Sequence, residues 1–408
     1  MRKMGVILVG VIVSLGLTAT SAVALTQQEE LGKSIFFDQN LSINNNQSCA
    51  ACHGPGAGWT GPDAALNAGG SVYEGSIPGR FGNRKPPSSA YATPSPILHF
   101  VMEKKEALFI GGNFWDGRAA GERLGSPAAE QALGPFLNPL EQALPDAAAV
   151  VSRICASSYA ALFTDVCGPG ACNPANTDAA YDCVGLSIAA YEGSPEVNQF
   201  SSKYDAFLKG LVDLSKQEKQ GLNLFKSKGK CANCHVLDPG PNGEPPLLTD
   251  FTYDNLGVPR NPDNPFYSEP GFNPQGWAWI DLGLGGFLAS RMDYQQFAAA
   301  NNGKMKVPTV RNVDKWDPIL GPQVKAYAHN GYFKTLKQIV HFYNTRDAKP
   351  PCLSAFTLVE DAIAQGCWPV PEVPVNVNTT ELGNLHLTDA QEDAIVAFMK
   401  TLSDGFVP

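Results

Sequence analysis

Two short runs of this chain combine thiols with an imidazole at a spacing that suits one chemistry. Cys49-Ala50-Ala51-Cys52-His53 and Cys231-Ala232-Asn233-Cys234-His235 each place two cysteines three positions apart and a histidine directly after them. Cys-x-x-Cys-His is the attachment sequence of c-type haem, in which both thiols bond to the porphyrin and the histidine ligates the iron. We therefore predict two covalently bound haem c groups, held by Cys49, Cys52 and His53 and by Cys231, Cys234 and His235.

Zinc is the main alternative ligand for paired cysteines. The cysteine pairs of a zinc ribbon usually lie about 15–20 residues apart, whereas Cys52 and Cys231 are separated by more than a third of the chain. Haem is therefore preferred over zinc or a disulfide within each pair. Two haems predict electron transfer, and an iron with an open coordination position can also react with peroxide or oxygen.

A related stretch precedes each haem motif and predicts the helix that positions it. Residues 32–36 (Gly-Lys-Ser-Ile-Phe) and 221–225 (Gly-Leu-Asn-Leu-Phe) both place an apolar pair after a glycine. Two such copies indicate two small helical cytochrome c domains. Apolar periodicity and capping residues predict further helices over 147–156, 183–192, 335–344 and 387–402.

The predicted fold is mainly α, with two cytochrome c-like helical haem domains, long loops and few short strands. Strand signals are few, and proline and glycine interrupt residues 54–96 and 238–286 heavily. Long loops suit a protein whose core is largely cofactor. The predicted division is a signal peptide at 1–24, an N-terminal peroxidatic haem domain at 25–205 and a C-terminal electron-relay haem domain at 206–408.

The first residues of the chain carry the pattern of an export signal. Arg2 and Lys3 give a positive start, residues 5–17 are apolar, and Ala22 and Ala24 form a small-residue cleavage site. The apolar stretch is short for a membrane span, and an uncleaved anchor is the alternative interpretation. We predict a mature protein without a membrane span, located in the periplasm of a Gram-negative bacterium or otherwise exported.

Six cysteines remain outside the haem motifs: Cys155, Cys167, Cys172, Cys183, Cys352 and Cys367. An even remainder in an exported protein predicts disulfides. Cys352 and Cys367 form a plausible local pair. The other four allow three connectivities, and free thiols are the alternative.

The sequence has a formal net charge of −9. Removing the predicted signal takes away two basic residues and no acid, so the mature chain is more acidic still. This charge argues against a nucleic-acid partner. It suits a basic redox partner, although many acidic exported proteins are simply soluble.

Three further runs narrow the class of enzyme. They are Phe114-Trp115-Asp116-Gly117-Arg118-Ala119, residues 130–141 with Glu-Gln-Ala-Leu-Gly-Pro at the start and Asn-Pro-Leu-Glu at the end, and residues 341–347 (His-Phe-Tyr-Asn-Thr-Arg-Asp). Together with the haem motifs, these runs resemble the bacterial diheme cytochrome c peroxidase superfamily over most of residues 27–403. The resemblance implies a peroxidatic N-terminal haem and a C-terminal haem that stores and relays electrons.

The resemblance also assigns roles around the first haem. Trp115 matches a relay between the haems, since an indole can be oxidised transiently. Glu141 matches an acid/base that moves a proton between the two oxygens of peroxide, with Gln131 holding the peroxide and Pro135 lining the pocket. Without the resemblance, Trp115 would be interpreted as a core residue and Glu141 as a solvated glutamate.

The sequence departs from the ordinary peroxidases near the first haem. Those enzymes commonly carry a distal histidine shortly after the first haem motif, which caps the iron until reduction releases it. Residues 54–91 contain no histidine, and His99 lies beyond the family position. We predict an iron with an open position even in the fully oxidised protein.

A second departure concerns the other haem. Aligning residues 336–343 places Tyr343 where the ordinary peroxidases have an axial methionine, and tyrosine there marks the MauG-like branch (MauG and MbnH type). A phenolate ligand stabilises high-valent iron and lowers its potential relative to a thioether. His341, Met305 and Met292 are the rival ligands.

The resemblance further implies a calcium ion between the haems. Its ligands in the family are an asparagine and backbone carbonyls, which suit this hard cation. Lys85 takes the asparagine position here, with Asn83 two residues earlier. The predicted calcium ligands are therefore Asn83, Val324 and Ala326.

These features predict an enzyme that uses hydrogen peroxide to form a high-valent two-haem state. That state oxidises a protein partner, and the tryptophan residues of the partner are the candidate targets. The first alternative is a diheme cytochrome c peroxidase that reduces peroxide to water with electrons from a small cytochrome c or copper protein. The second is a plain electron-transfer cytochrome. The predicted partners are peroxide and a protein substrate or small redox protein, and the predicted assembly is a monomer or homodimer.

Overall fold

The computed structural model describes residues 24–103, 106–240 and 243–408. The predicted signal peptide therefore lies outside the described residues, apart from Ala24. In the described part of the chain, no single helix is long and apolar enough to cross a membrane. Ala147–Cys155 and Ala160–Cys167 satisfy that length and composition only together, and they meet at a bend of 117°.

Helices make up most of the regular structure. In the described ranges they are α1 Gln27–Phe36, α2 Cys49–Cys52, α3 Ala64–Ala68, α4 Pro127–Leu137, α5 Ala147–Cys155, α6 Ala160–Cys167, α7 Thr177–Gly193, α8 Lys203–Leu208, α9 Lys216–Lys226, α10 Gly283–Ala289, α11 Leu336–Thr345, α12 Val359–Gln365 and α13 Asp389–Lys400. The strands β1 His99–Glu103 and β2 Glu106–Ile110 form one antiparallel pair, and β3 Tyr253–Asp254 and β4 Met305–Lys306 form another. The prediction of a mainly helical fold with few short strands is confirmed.

In the first half, α7 packs against α1, α4 and α5. The contact between α1 and α7 is close because Gly32 has no side chain: a Cβ there would lie 1.9 Å from the carbonyl oxygen of Ser187. Leu31, Ile35 and other apolar residues of α1 are buried in the same core. This crossing fixes the helix that leads into the first haem motif.

The second half repeats this arrangement. Helix α9, which leads into the second motif, packs against α13, and α13 also contacts α11. A Cβ on Gly221 would lie 1.8 Å from the carbonyl oxygen of Ala394, so glycine again permits the crossing. Gly32 and Gly221 occupy corresponding positions of the predicted repeat, which therefore extends to the way its helices pack.

Local capping explains which helix bounds were predictable. Thr388 accepts a hydrogen bond from the Gln391 backbone, and Gln391 caps in return, so α13 begins at the predicted capping box. Helix α7 begins at Thr177, earlier than the predicted start at residue 183. A short 3₁₀ turn, Pro174–Asn176, runs directly into this helix.

Three disulfides use the six cysteines outside the haem motifs. Cys352–Cys367 is the predicted local pair, and it is present. The other two, Cys155–Cys172 and Cys167–Cys183, tie α5, α6 and α7 to the loop between them. The free cysteines among the described residues are those of the haem motifs: Cys49, Cys52, Cys231 and Cys234.

Of the four hydrophobic cores among the described residues, the two largest lie in different halves of the chain. The first is built mainly from residues before 200, and the second begins at Tyr204, whose ring packs 5.2 Å from that of Phe398. The C-terminal segment returns to the first half, where Asp404 accepts a 2.7 Å hydrogen bond from the Tyr91 hydroxyl. The domain division at 205 and 206 stays a prediction.

Candidate functional site

Each haem motif opens into a large cavity. The first cavity is lined by Cys49, Cys52 and His53 and the second by Cys231, Cys234 and His235. With part of their entrances included, they hold about 1080 Å³ and 1440 Å³ of space. Each cavity lies directly against the two thiols and the imidazole of its motif, as a covalently attached haem requires.

The two histidines are held in the same way. His53 Nδ1 lies 3.3 Å from the carbonyl oxygen of Trp59, and His235 Nδ1 lies 3.0 Å from that of Leu248. A carbonyl partner keeps the proton on Nδ1 and leaves Nε2 free for a metal. Burial also lowers the pKa of His53 to about 4, so its imidazole is neutral at pH 7. Free thiol pairs beside neutral imidazoles fit haem c at both motifs.

Helix α4 supplies one wall of the first cavity. Ser126 caps this helix by accepting a hydrogen bond from Ala129, and Gln131 and Pro135 line the cavity from its later turns. Glu141 follows the helix and lines the same cavity. The structure therefore brings Gln131, Pro135 and Glu141 together with the first haem motif.

Glu141 lies in an environment that suits an acid/base. Its Oε1 accepts a 3.0 Å hydrogen bond from Asn138 Nδ2. Burial raises the pKa of Glu141, and the positive charge of Arg118 opposes that rise. The guanidinium of Arg118 stacks 3.7 Å from the centre of the Phe114 ring, and Phe114 also lines the cavity. A buried carboxyl whose pKa lies above its ordinary value is suited to taking up and returning a proton.

Trp115 lines both cavities. It is 8% exposed, and its Nε1 donates a 2.8 Å hydrogen bond to the carbonyl oxygen of Lys85. The next residue, Asp116, accepts from Arg84 and Arg118 at 2.7 and 2.8 Å. This ion-pair network fixes the loop that carries the indole, so the indole is held where both cavities meet.

Two of the candidate axial ligands reach the second cavity. Tyr343 on α11 and Met305 on β4 both line it, and burial raises the pKa of the Tyr343 phenol. His341 does not line it: its Nδ1 lies 2.9 Å from Glu392, and its Nε2 is hydrogen-bonded by another side chain at 2.8 Å. Met292 is 89% exposed. Tyr343 and Met305 therefore remain as candidates.

The first cavity contains one histidine among the described residues that line it, and this is His53. His99 is exposed on β1, where its Nδ1 lies 2.8 Å from the carbonyl oxygen of Ile97. No lining residue described for this cavity is therefore a second imidazole that could close the iron.

Comparison with known proteins identifies the chain. A family model described as di-haem cytochrome c peroxidase matches residues 26–213. The methylamine utilization protein MauG of Paracoccus denitrificans is 33% identical over 382 residues, which span 92% of this chain and 88% of that protein. The chain belongs to the di-haem cytochrome c peroxidase family.

The chain also resembles a diheme peroxidase of known structure and a cytochrome c551 peroxidase. The crystal structure of the diheme peroxidase BthA from Burkholderia thailandensis is 31% identical, with a TM-score of 0.72 over 92% of this chain and 86% of that one. The cytochrome c551 peroxidase of Nitrosomonas europaea is 28% identical over 76% of this chain and 71% of that protein. The predicted MauG-like membership is confirmed, and the protein is an oxidoreductase with two haem c groups.

Two residues of the di-haem peroxidase site escaped the sequence analysis. His329 lines the second cavity, and its buried Nε2 has no hydrogen-bond partner. The nearest carboxylate, on Glu372, is 3.8 Å away, which is too far for a hydrogen bond. Glu192 is buried and lines the first cavity. The scarcity of histidine, six in the whole chain, was the signal available for His329.

Glu192 should make the di-haem peroxidase less stable as the pH rises. Burial raises its pKa to about 8, against about 4.5 in an unfolded chain. The folded protein must then hold a proton that the unfolded chain releases, so stability falls between pH 4.5 and 8. At pH 7 this costs about 3 kcal/mol.

We therefore expect Glu192→Gln to raise the midpoint of thermal unfolding at pH 8 and to leave it nearly unchanged at pH 4.5, measured on the holoprotein by circular dichroism. Glu196→Gln is the control, because Glu196 is paired with Lys33 at the surface. An equal effect of Glu192→Gln at both pH values would contradict this assignment.

The donors at the predicted calcium site are already in use. The carbonyl oxygen of Asn83 accepts a 3.0 Å hydrogen bond from Asn264, and that of Val324 accepts one of 3.0 Å from Asn67. Ala326 is buried nearby in sequence. Calcium needs six to eight oxygen ligands at about 2.3–2.6 Å. A buried lysine, Lys85, also stands where the family has its asparagine ligand, and its amine is bonded to Thr60 and Pro86. These residues therefore fit a calcium ion poorly, and no step of the chemistry is assigned to one.

Proposed function

We propose that this di-haem peroxidase uses hydrogen peroxide to oxidise a partner protein, with tryptophan side chains of the partner as candidate targets. The observation that carries the proposal is the Tyr343 phenol, which lines the second cavity. An oxygen ligand stabilises the higher oxidation states of iron more than a thioether ligand does. The second haem would then hold an oxidising equivalent instead of accepting electrons from a mild donor.

The haems, when bound, would supply the redox chemistry, with peroxide as the oxidant and the partner protein as the source of electrons. His53 and His235 would ligate the irons through their free Nε2 atoms. Gln131 would orient the peroxide by hydrogen bonds. Glu141 would accept the proton from the inner peroxide oxygen and donate it to the outer one, which then leaves as water.

Trp115 would carry electrons between the two cavities. Its indole borders both of them, and its N–H is held by a backbone carbonyl, so its position does not depend on solvent. The alternative role of Trp115 is to fill space in the core, and its burial is compatible with both roles. Loss of fast exchange between the haems in a folded Trp115→Phe protein distinguishes the two.

The runner-up function is peroxide reduction to water with electrons from a small cytochrome c or copper protein. The curated relative from Nitrosomonas europaea is named a cytochrome c551 peroxidase, and Met305 also borders the second cavity. A methionine ligand would suit a haem that accepts electrons. The ordinary peroxidases are activated by reduction, so the two functions differ in what the oxidised protein does.

We expect the fully ferric protein to react with hydrogen peroxide without any reductant, because no second histidine borders the first cavity in the described structure. Stopped-flow absorption and EPR spectroscopy should show that the spectra of both haems change together and that the resulting species is long-lived. A protein that stays inert until one haem is reduced supports the cytochrome c peroxidase function instead. A partner encoded nearby should gain oxygen or a cross-link by mass spectrometry only with enzyme and peroxide.

The enzyme would act in the periplasm, after cleavage of residues 1–24, as a monomer or homodimer on a protein or small redox partner. Residues 25–205 would form the half that reacts with peroxide, and residues 206–408 the half that relays electrons. Calcium is not part of the proposal, because the buried Lys85 stands where the family has its asparagine ligand.

A further inference from the structure

Lys85 lies where the two haem cavities meet. Its carbonyl oxygen accepts the hydrogen bond from Trp115 Nε1 at 2.8 Å, and its backbone N–H donates to the carbonyl oxygen of His329 at 2.8 Å. Trp115 and His329 both line the second cavity, whereas Lys85 itself lines the first. The backbone of this residue therefore joins the walls of the two cavities.

The Lys85 side chain is buried and bonded only to neutral oxygen atoms. Its Nζ donates to Thr60 Oγ1 and to the carbonyl oxygen of Pro86, both at 3.0 Å. Both acceptors are uncharged, and among the described residues no carboxylate is paired with this amine. A positive charge is thus held by uncharged oxygens, as a bound metal cation often is.

A second buried lysine lies close by and crosses between the halves of the chain. Lys325 Nζ donates to the carbonyl oxygens of Ala57, Asn312 and Lys315 at 2.7, 3.2 and 2.9 Å. Ala57 belongs to the loop after the first haem motif, and the other two acceptors belong to the second half. Lys325 also lies near enough to Lys85 to be affected by its charge.

These two amines occupy the places from which calcium ligands were predicted. Lys85 stands at the position of the asparagine ligand, and Lys325 lies between Val324 and Ala326. The two amines already bind backbone carbonyl oxygens of this region, which is a kind of ligand that calcium takes.

We propose that Lys85 and Lys325 together replace the calcium ion between the haems. Lys85 supplies the fixed positive charge beside the Trp115 relay. Lys325 supplies the cross-links between the loop after the first haem motif and the second half of the chain. The inference does not depend on which substrate the enzyme oxidises, so it can fail while the proposed function stands.

The first test is the metal content of the holoprotein. We expect far less than one calcium per two haems by inductively coupled plasma mass spectrometry. EGTA and added Ca²⁺ should both leave the haem absorption spectra and the unfolding midpoint unchanged. One calcium ion per chain, removed by EGTA with a change in either readout, would overturn the proposal.

The second test removes the charge. Lys85→Met should lower the reduction potential of the first haem, since the lost cation no longer opposes the positive charge of ferric iron. Spectroelectrochemical titration at pH 6 measures this shift. Lys400→Met is the control: Lys400 is 57% exposed and pairs only loosely with Asp314 at 3.9 Å.

Lys85→Gln serves where the methionine variant does not fold, because it keeps a hydrogen-bond donor and loses only the charge. The same fall in potential supports the proposal. A folded neutral variant with the wild-type potential means that Lys85 is not the cation beside the relay, and this outcome overturns the proposal as well.

Discussion

Glu141→Gln lowers the rate at which the ferric protein reacts with hydrogen peroxide by about 100-fold to 10,000-fold, the usual contribution of a positioned acid/base. The amide keeps the shape of the side chain and the hydrogen bond with Asn138, but it cannot accept the proton from the inner peroxide oxygen. Binding of both haems should be unchanged, because Glu141 is not an attachment residue. Stopped-flow absorption gives the second-order rate constant.

The pH dependence separates this role from a structural one. The carboxylate is the active form, and burial raises the pKa of Glu141. The wild-type rate should therefore rise with pH through a transition above the ordinary glutamate range, and Glu141→Gln should lose that transition. Glu122→Gln is the control, because Glu122 pairs with Arg291 at the surface. A Glu141→Gln protein with the wild-type rate and pH profile would remove Glu141 from the mechanism.

Tyr343→Met shortens the lifetime of the peroxide-generated two-haem state by more than about tenfold, which corresponds to only about 1.4 kcal/mol. The second haem should stay attached through Cys231 and Cys234, because the substitution does not touch its thioether bonds. A thioether stabilises reduced iron, so the potential of this haem should rise. Rapid-scan spectroscopy and a redox titration measure the two effects.

Matched variants distinguish a role of Tyr343 as an iron ligand from a role in packing alone. Tyr343→Phe removes only the hydroxyl and should also shorten the lifetime. Tyr332→Phe is the control, because Tyr332 is a buried tyrosine whose hydroxyl donates to the carbonyl oxygen of Thr357 at 2.9 Å. If Tyr343→Met keeps the wild-type lifetime and Met305→Leu abolishes it, Met305 is the ligand and the runner-up function gains support.

The parts of the fold that depend on local sequence were predictable. The capping box of α13 needs only Thr388 and Gln391, which lie within one turn. The early start of α7 was missed because glycine, proline and asparagine make up most of residues 168–176, directly before it. Two of the disulfides were also beyond local sequence, because their pairing depends on how α5, α6 and α7 meet in space.

The site residues also divide into those that the sequence indicated and those that only the fold reveals. The attachment residues follow from one motif, and Tyr343 and Glu141 from the family resemblance. The structure brings each of them to the expected cavity. Glu192 and His329 went unnoticed because their importance arises from burial and from neighbours distant in sequence. The sequence showed Lys85 at the asparagine ligand position, but the burial of its amine and its carbonyl contacts depend on the fold.

The ten cysteines place opposite demands on the maturing chain. Six of them form disulfides between partners 15 to 17 residues apart, whereas the four in the haem motifs stay free. A bond between Cys49 and Cys52 would consume both thiols that the porphyrin needs. Maturation therefore needs an oxidant for the first group and a reductant for the second in the same compartment. A production host that supplies only the oxidant would yield correctly cross-linked protein without haem.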